Sequence, residues 1–355
     1  MTVADPAANA GRRTDAATTC MYAEAASASE AVRAQLDLDA ASIAELGARM
    51  RALAPRAVVT CARGSSDHAA TYAKYLIETR AGVLTASAAP SVASVYGVAQ
   101  DLRGCLFIAI SQSGRSPDLL ASVAHAKASG ATVLALCNSP DAPLIAAADH
   151  VIALRAGHEQ SVAATKSFLA TLAALARFVA AWTRDEALAG DLERLPDLMD
   201  EAWRQDWSVA VPALATAEHL YVVGRGLGLA AAQEVALKCK ETCGLHAAAF
   251  SSAELRHGPF TLLGVRFPAL LLAQNDATRG GVAELATELA ARGIPVMLAG
   301  ATAAGAIPLP SPDGRAELGP ILLVQSAYRL IAALAVHRGF DPDRPPHLRK
   351  VTETL

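Results

Sequence analysis

The sequence predicts an α/β protein built as two tandem doubly wound parallel-sheet domains, with helices on both faces of each sheet. Three observations carry this expectation. Apolar strand-like runs alternate with segments of helical length along the whole chain. The chain also repeats itself. Val58-Val59-Thr60-Cys61-Ala62-Arg63-Gly64 resembles Leu220-Tyr221-Val222-Val223-Gly224-Arg225-Gly226, an offset of 162 residues (226 − 64) that also carries Ile108–Gln112 onto Leu270–Gln274. One residue later, Ala128–Val133 falls on Ala291–Val296. Finally, 355 residues suit two domains, at roughly 100–200 residues each.

Taken in order, residues 1–40 read as a ragged lead-in followed by a helix over Thr19–Leu36. The first domain is expected over 41–185. Its strand Leu106–Ile110 empties into Ser111-Gln112-Ser113-Gly114-Arg115-Ser116, and Pro117 then suits the first turn of a helix. Gln160–Lys166 opens another helix, over 168–182, with hydroxyls that suit capping. Residues 186–204, rich in Asp, Glu and Arg, read as a helical connector to the second domain over 205–340. The tail 341–355, extended by its prolines, is expected to close over the site.

Composition excludes several function classes. A net charge of −3 gives no general attraction to nucleic acid or to an anionic membrane surface. No uninterrupted apolar run reaches the roughly 20 residues that span a bilayer; Arg177 breaks one candidate, and Gln325 and Arg329 break the stretch 321–336. Six cysteines without a Cys-x-x-Cys pair form no disulfide framework, which points to a reducing cytoplasm.

Chemistry concentrates at a few places. The Ser111–Ser116 junction puts hydroxyls and free N–H groups at a helix N-terminus, the setting for a phosphate dianion. The second copy has Gln274–Arg279 there, with Asp276 where an anion would sit, so one phosphate site per chain is expected. In the helix after Gly228, Val235, Cys239 and Cys243 share one face and Glu234, Lys238 and Glu241 the opposite one. The polar set reads either as an exposed ion-pair ladder, which spacing favours, or as a base beside a cation at a pocket edge. Cys239, Cys243 and His246 lack a fourth ligand, and no metal is expected. Gly224–Gly228 matches a dinucleotide fingerprint poorly and reads as tight helix–strand packing. Of Ser65 and Ser66, one suits a cap and the other is free for a ligand. His257, placed on a loop by Gly258-Pro259, reads equally as a solvated side chain or a proton shuttle. Lys350 reads as a solvated tail residue or as an amine closing over a pocket.

Ser111-Gln112-Ser113-Gly114, Val162–Lys166, Leu237–Glu241, Glu254–Pro259 and Leu348–Thr352 occur in that order, and together resemble the sugar isomerase (SIS) domain pair of glucosamine-6-phosphate synthases and SIS-type glucosamine-6-phosphate deaminases. The resemblance runs from about residue 19 to the end. It implies that Ser111, Gln112, Ser113 and Ser116 hold a phosphate, and that Gly64, Ser65, Val162 and Ala163 belong to the substrate site. It makes Glu241 the base moving a proton between C1 and C2, with Lys238 beside it. It makes His257 the ring-opening histidine, supplied across a homodimer interface, and Lys350 the residue meeting the substrate carbonyl. The implied ligand is a sugar phosphate, and no cofactor is needed. Two departures are Ala164, where the synthases have serine, and Ala248, where many relatives have glutamate. Residues 1–40 are too few for the synthases' glutaminase domain, and Arg63–His68 looks more like the deaminase branch. The expected reaction is therefore glucosamine 6-phosphate to fructose 6-phosphate plus ammonia. Galactosamine 6-phosphate deamination, sugar-phosphate amine deglycation, a glutaminase-less isomerizing aminotransferase and a non-catalytic sensor are the alternatives.

Overall fold

The computed structural model describes residues 15–350. Three helices lead in: α1 (Cys20–Ala26), α2 (Ala28–Leu38) and α3 (Ala40–Leu53). The single helix expected over 19–36 is thus two, broken at Ser27, whose hydroxyl turns back onto the Glu24 carbonyl. The first sheet region follows as β1 (Ala57–Cys61), α4 (Ser65–Arg80), β2 (Thr85–Ser87), α5 (Pro90–Ser94), β3 (Cys105–Ser111), α6 (Pro117–Ala128), β4 (Thr132–Cys137), α7 (Pro143–Ala147) and β5 (His150–Ala153). Helices α8 (Lys166–Thr183), α9 (Glu186–Glu193), α10 (Leu195–Arg204) and α11 (Val211–Ala215) lead to the second. That region comprises β6 (His219–Gly224), α12 (Gly228–Cys243), β7 (His246–Ser251), β8 (Ala269–Leu272), α13 (Arg279–Ala291), β9 (Val296–Ala299), β10 (Ile307–Leu309) and α14 (Gly319–His337).

Each sheet has five parallel strands, in the orders β2-β1-β3-β4-β5 and β10-β9-β8-β6-β7. Successive side chains point to opposite faces, and burial on both faces explains the unbroken apolar runs. Leu106, Ile108 and Ile110 enter one core while Cys105, Phe107 and Ala109 enter another. The second sheet behaves alike: Leu270 and Leu272 join the first of these cores, whereas Ala269 and Leu271 pack under α13. The inner faces of both sheets therefore share one core, filled by α4, α8, α12 and α14. Across it α4 packs directly on α12, which brings the two halves of the site together.

Among the described residues one helix, α14, is long and apolar enough to cross a bilayer, but 83% of that stretch is buried in protein. Polar side chains on it bond within the protein: Gln325 Nε2 donates to the Ala25 carbonyl and Arg329 to the carbonyls of Trp203 and Arg204. It is a core helix.

Gly224–Gly228 packs tightly, as expected. A Cβ at Gly224 would strike the Gly228 backbone, and one at Gly228 would strike the Gln274 side chain. No group of three or more metal-ligating side chains gathers among the described residues.

Candidate active site

In an open parallel sheet the crevice for ligands opens where neighbouring strands send their chains to opposite faces. In the first sheet that point lies between β1 and β3, and the loops leaving them are Arg63–Ser66 and Ser111–Ser116. Both line a cavity of about 370 Å³, completed by Val162, Ala164, Lys238, Glu241 and the tail residues Leu348, Arg349 and Lys350. This volume suits a small-molecule site, for which roughly 300–1,000 Å³ is usual.

The anion cradle is built by the chain's own turns. Gly114 has φ +63°, and the Ser111 hydroxyl accepts from its N–H at 3.0 Å. The N–H groups of Ser113, Arg115 and Ser116 bond no other described residue, so they remain for a ligand at the positive end of α6. A Cβ on Gly114 would sit 2.6 Å from the Ala142 Cβ and 2.7 Å from the Cys137 Sγ. Gly114→Ala is therefore expected to weaken inorganic phosphate binding about tenfold or more in titration calorimetry, since a strained backbone of this kind costs roughly 1–3 kcal/mol. In the second sheet the corresponding turn, Gln274–Arg279, is laced together by its own side chains. Gln274 Nε2 donates to the Arg225 carbonyl at 2.7 Å and to Asp276 at 2.8 Å, and Asp276 accepts from the Thr278 N–H at 2.7 Å. That turn thus sets a carboxylate, Asp276, on the Thr278 N–H just before α13.

Neither Ser65 nor Ser66 caps α4. Gly64, with φ +56°, is its N-cap, and both serines line the cavity. Similarly, α8 is not capped by the hydroxyls before it. The buried Glu159 carboxylate accepts from the N–H groups of Thr165 and Ser167 at 2.9 and 3.2 Å, and from the Ser167 hydroxyl at 2.7 Å. A carboxylate suits the positive end of that helix. Glu159 also accepts from Lys350 Nζ at 3.0 Å, and the same ammonium donates to the Ser161 carbonyl at 2.6 Å. The tail is pinned further by Asp343, whose carboxylate accepts from the N–H groups of Cys20 and Met21 at 2.7 Å each. Glu159 was invisible in the sequence because its lysine lies 191 residues away.

The polar face of α12 is buried, which overturns the exposed-ladder reading. Glu234 is 0% and Lys238 1% exposed, because α4 and α14 cover that face. Lys238 Nζ stands 2.5 Å from Glu241 Oε2 and 3.5 Å from Glu234 Oε1. Burial disfavours the charged lysine, but the carboxylates of Glu234 and Glu241 outweigh it and hold the ammonium above its ordinary pKa. Burial likewise pushes Glu234 up, yet Lys238, His68 and Tyr328 hold it below the usual carboxylate range. Lys350 and its hydrogen-bonding neighbours do the same for Glu159 against burial.

These two depressed carboxyls contribute stability that is fully present above the ordinary glutamate value of 4.5 and is lost as pH falls toward their folded values. Urea unfolding should show stability dropping steeply below about pH 4.5, with a shallower fall in Glu159→Gln.

The structure thus brings together Ser111, Gln112, Ser113, Ser116, Gly64, Ser65, Val162, Lys238, Glu241 and Lys350. Two expected residues do not line the cavity. Ala163 is 1% exposed, turned into the core between Val162 and Ala164. His257 ends a short 3-10 turn, Glu254–His257, and is solvent-exposed away from the cavity of its own chain. Arg63, Ser66, Ala164, Leu348 and Arg349 are additional lining residues.

Residues 54–181 and 213–303 match the SIS domain family, the first stretch over the whole first sheet and the second over β6 to β9 of the second. A glutamine–fructose-6-phosphate aminotransferase (isomerizing) from Aeropyrum pernix is 35% identical over 309 residues, covering 81% of this chain and 49% of that protein. The chain spans about half the length of the curated relatives it matches. A candidate phosphosugar isomerase from Silicibacter pomeroyi DSS-3 is similar in structure, with a TM-score of 0.88 at 40% identity over 92% of this chain and 100% of its own. The C-terminal domain of glucosamine-fructose-6-phosphate aminotransferase from Francisella tularensis gives a TM-score of 0.83 at 28% identity, over 92% and 98% of the two chains. With strands of both sheets matched, over more than half of the chain, the chain belongs to the SIS domain family.

Proposed function

We propose that this chain is a sugar-phosphate isomerase that acts on an amino sugar, converting glucosamine 6-phosphate and water to fructose 6-phosphate and ammonia. One observation carries the reading: the hydroxyl cradle of the first sheet and the Lys238–Glu241 pair of the second line the same cavity. A phosphate in the Ser111–Ser116 loop would orient a six-carbon chain toward α12, so that phosphate binding contributes to positioning the reacting carbons. Glu241 would take the proton from C2 and return it to C1, leaving a ketimine that water hydrolyses to ketone and ammonia. Lys238 and Lys350 would stabilise charge developing on oxygen and nitrogen. No step of this chemistry calls for a metal or redox cofactor.

Ring opening by His257 requires the histidine of a second copy of the chain, since its own lies outside the cavity. A homodimer is accordingly part of the proposal. A cytoplasmic setting suits six unpaired thiols.

One observation favours a second reading. The relatives at 33–35% identity are named as isomerizing aminotransferases of fructose 6-phosphate, so the same site could run toward amination. Incubation with glucosamine 6-phosphate, beside galactosamine 6-phosphate and beside fructose 6-phosphate with ammonia or glutamine, separates the readings. Equimolar ammonia and fructose 6-phosphate from the first mixture is expected. Amination without deamination would support the second reading. Tight sugar-phosphate binding with no turnover in any mixture would leave a sensor and overturn both.

A further inference from the structure

Helix α4 sends two side chains across the domain boundary to Glu234, and only Ser65 of the two reaches the cavity. The other, His68, stands one turn further on with Nδ1 2.9 Å from Glu234 Oε2. Glu234 Oε1 accepts from the Tyr328 hydroxyl at 2.9 Å and the Ser65 hydroxyl at 3.1 Å, and faces Lys238 Nζ at 3.5 Å. A fully buried carboxylate stays charged only if its lone pairs meet donors. Here they do, and His68 is the sole partner of one of its oxygens among the described residues.

The consequence reaches the cavity through Lys238. Its ammonium stands between two carboxylates, Glu234 inside and Glu241 at the cavity wall. While Glu234 is fixed and charged, the ammonium is shared. Without that anchor it would serve Glu241 alone, holding that carboxylate in an undivided ion pair at the cavity wall.

We propose that His68 is a positioning residue: by donating Nδ1–H to Glu234 it anchors Lys238, and so sets the aim of Glu241 without touching substrate. The proposal rests on the isomerase reading of the site. It makes His68 a determinant of turnover rather than of binding, because the phosphate cradle lies on other loops.

Two variants separate positioning from bulk. His68→Ala removes the donor, whereas His68→Asn can place an amide N–H close to the position of Nδ1. His68→Ala is expected to lower kcat about tenfold or more while KM stays within about threefold, and His68→Asn to recover most of the loss. Inorganic phosphate affinity should be unchanged in both. A wild-type kcat in His68→Ala, or equal losses in the two variants, would overturn the proposal.

Imidazole nitrogen NMR of the substrate-free protein supplies a readout independent of turnover. The His68 proton is expected on Nδ1, with its signal displaced in Glu234→Gln. A proton on Nε2 with Nδ1 bare overturns the proposal whether or not the variants fold. If the unaltered chain turns over no hexosamine phosphate, the isomerase reading falls, and the NMR result alone decides whether His68 holds Glu234.

Discussion

Replacing Glu241 with glutamine is expected to slow ammonia release from glucosamine 6-phosphate by about 10²–10⁴-fold, the range associated with a single general base. The side chain is 20% exposed at the cavity wall, with Oε2 2.5 Å from Lys238 Nζ. Glutamine keeps the shape and one acceptor oxygen, so Lys238 retains a partner and the fold should hold. What it cannot do is carry a proton between two carbons. The cradle at Ser111–Ser116 lies on the other domain's loops and is left intact. Steady-state turnover should therefore collapse while the dissociation constant for inorganic phosphate, by titration calorimetry, stays within about twofold. Undiminished turnover in Glu241→Gln would remove this residue from the chemistry.

The second large effect concerns stability. Lys238→Met should destabilise the protein by about 3–5 kcal/mol, the usual consequence of removing one partner from a buried ion pair. Methionine fills similar volume and adds no polar group, so the loss is electrostatic. It leaves Glu234, at 0% exposure, without its ammonium, and leaves Glu241 facing it across the vacated space. The cost lies in the orphaned charge rather than in the missing lysine. The double variant Lys238→Met with Glu234→Gln should accordingly recover a good part of the stability without recovering turnover. Urea denaturation of the single and double variants measures this directly, and additive losses would contradict it.

The fold was legible wherever the signal was contiguous. Strands such as Leu106–Ile110 and Leu270–Leu272 are buried on both faces, so they read as unbroken apolar runs flanked by turns. The cradle was legible for the same reason, since its hydroxyls, glycine and helix-opening proline stand side by side. Residues joined only in space were not. His68 and Glu234 are 166 positions apart, Tyr328 and Glu234 94, and no periodicity announces either pair. The Glu234–Lys238–Glu241 set shows how spacing misleads. An ion-pair ladder at helical spacing is the same pattern on a solvated face and on a buried one, and only the packing of α4 and α14 decides between them. Ser27 teaches a smaller lesson: a hydroxyl bonding back to the preceding turn ended α1 inside a segment of continuous helix propensity.

One ligand is expected to bridge the two sheets, its phosphate held by the first and its reacting carbons presented to the second. A crystal structure of Glu241→Gln with glucosamine 6-phosphate bound shows whether it does. Phosphate oxygens are expected on the hydroxyls and N–H groups of Ser111–Ser116, with C1 and C2 within about 3–3.5 Å of the residue-241 side chain. A phosphate lodged elsewhere, or a sugar whose C1 and C2 point away from α12, would contradict it.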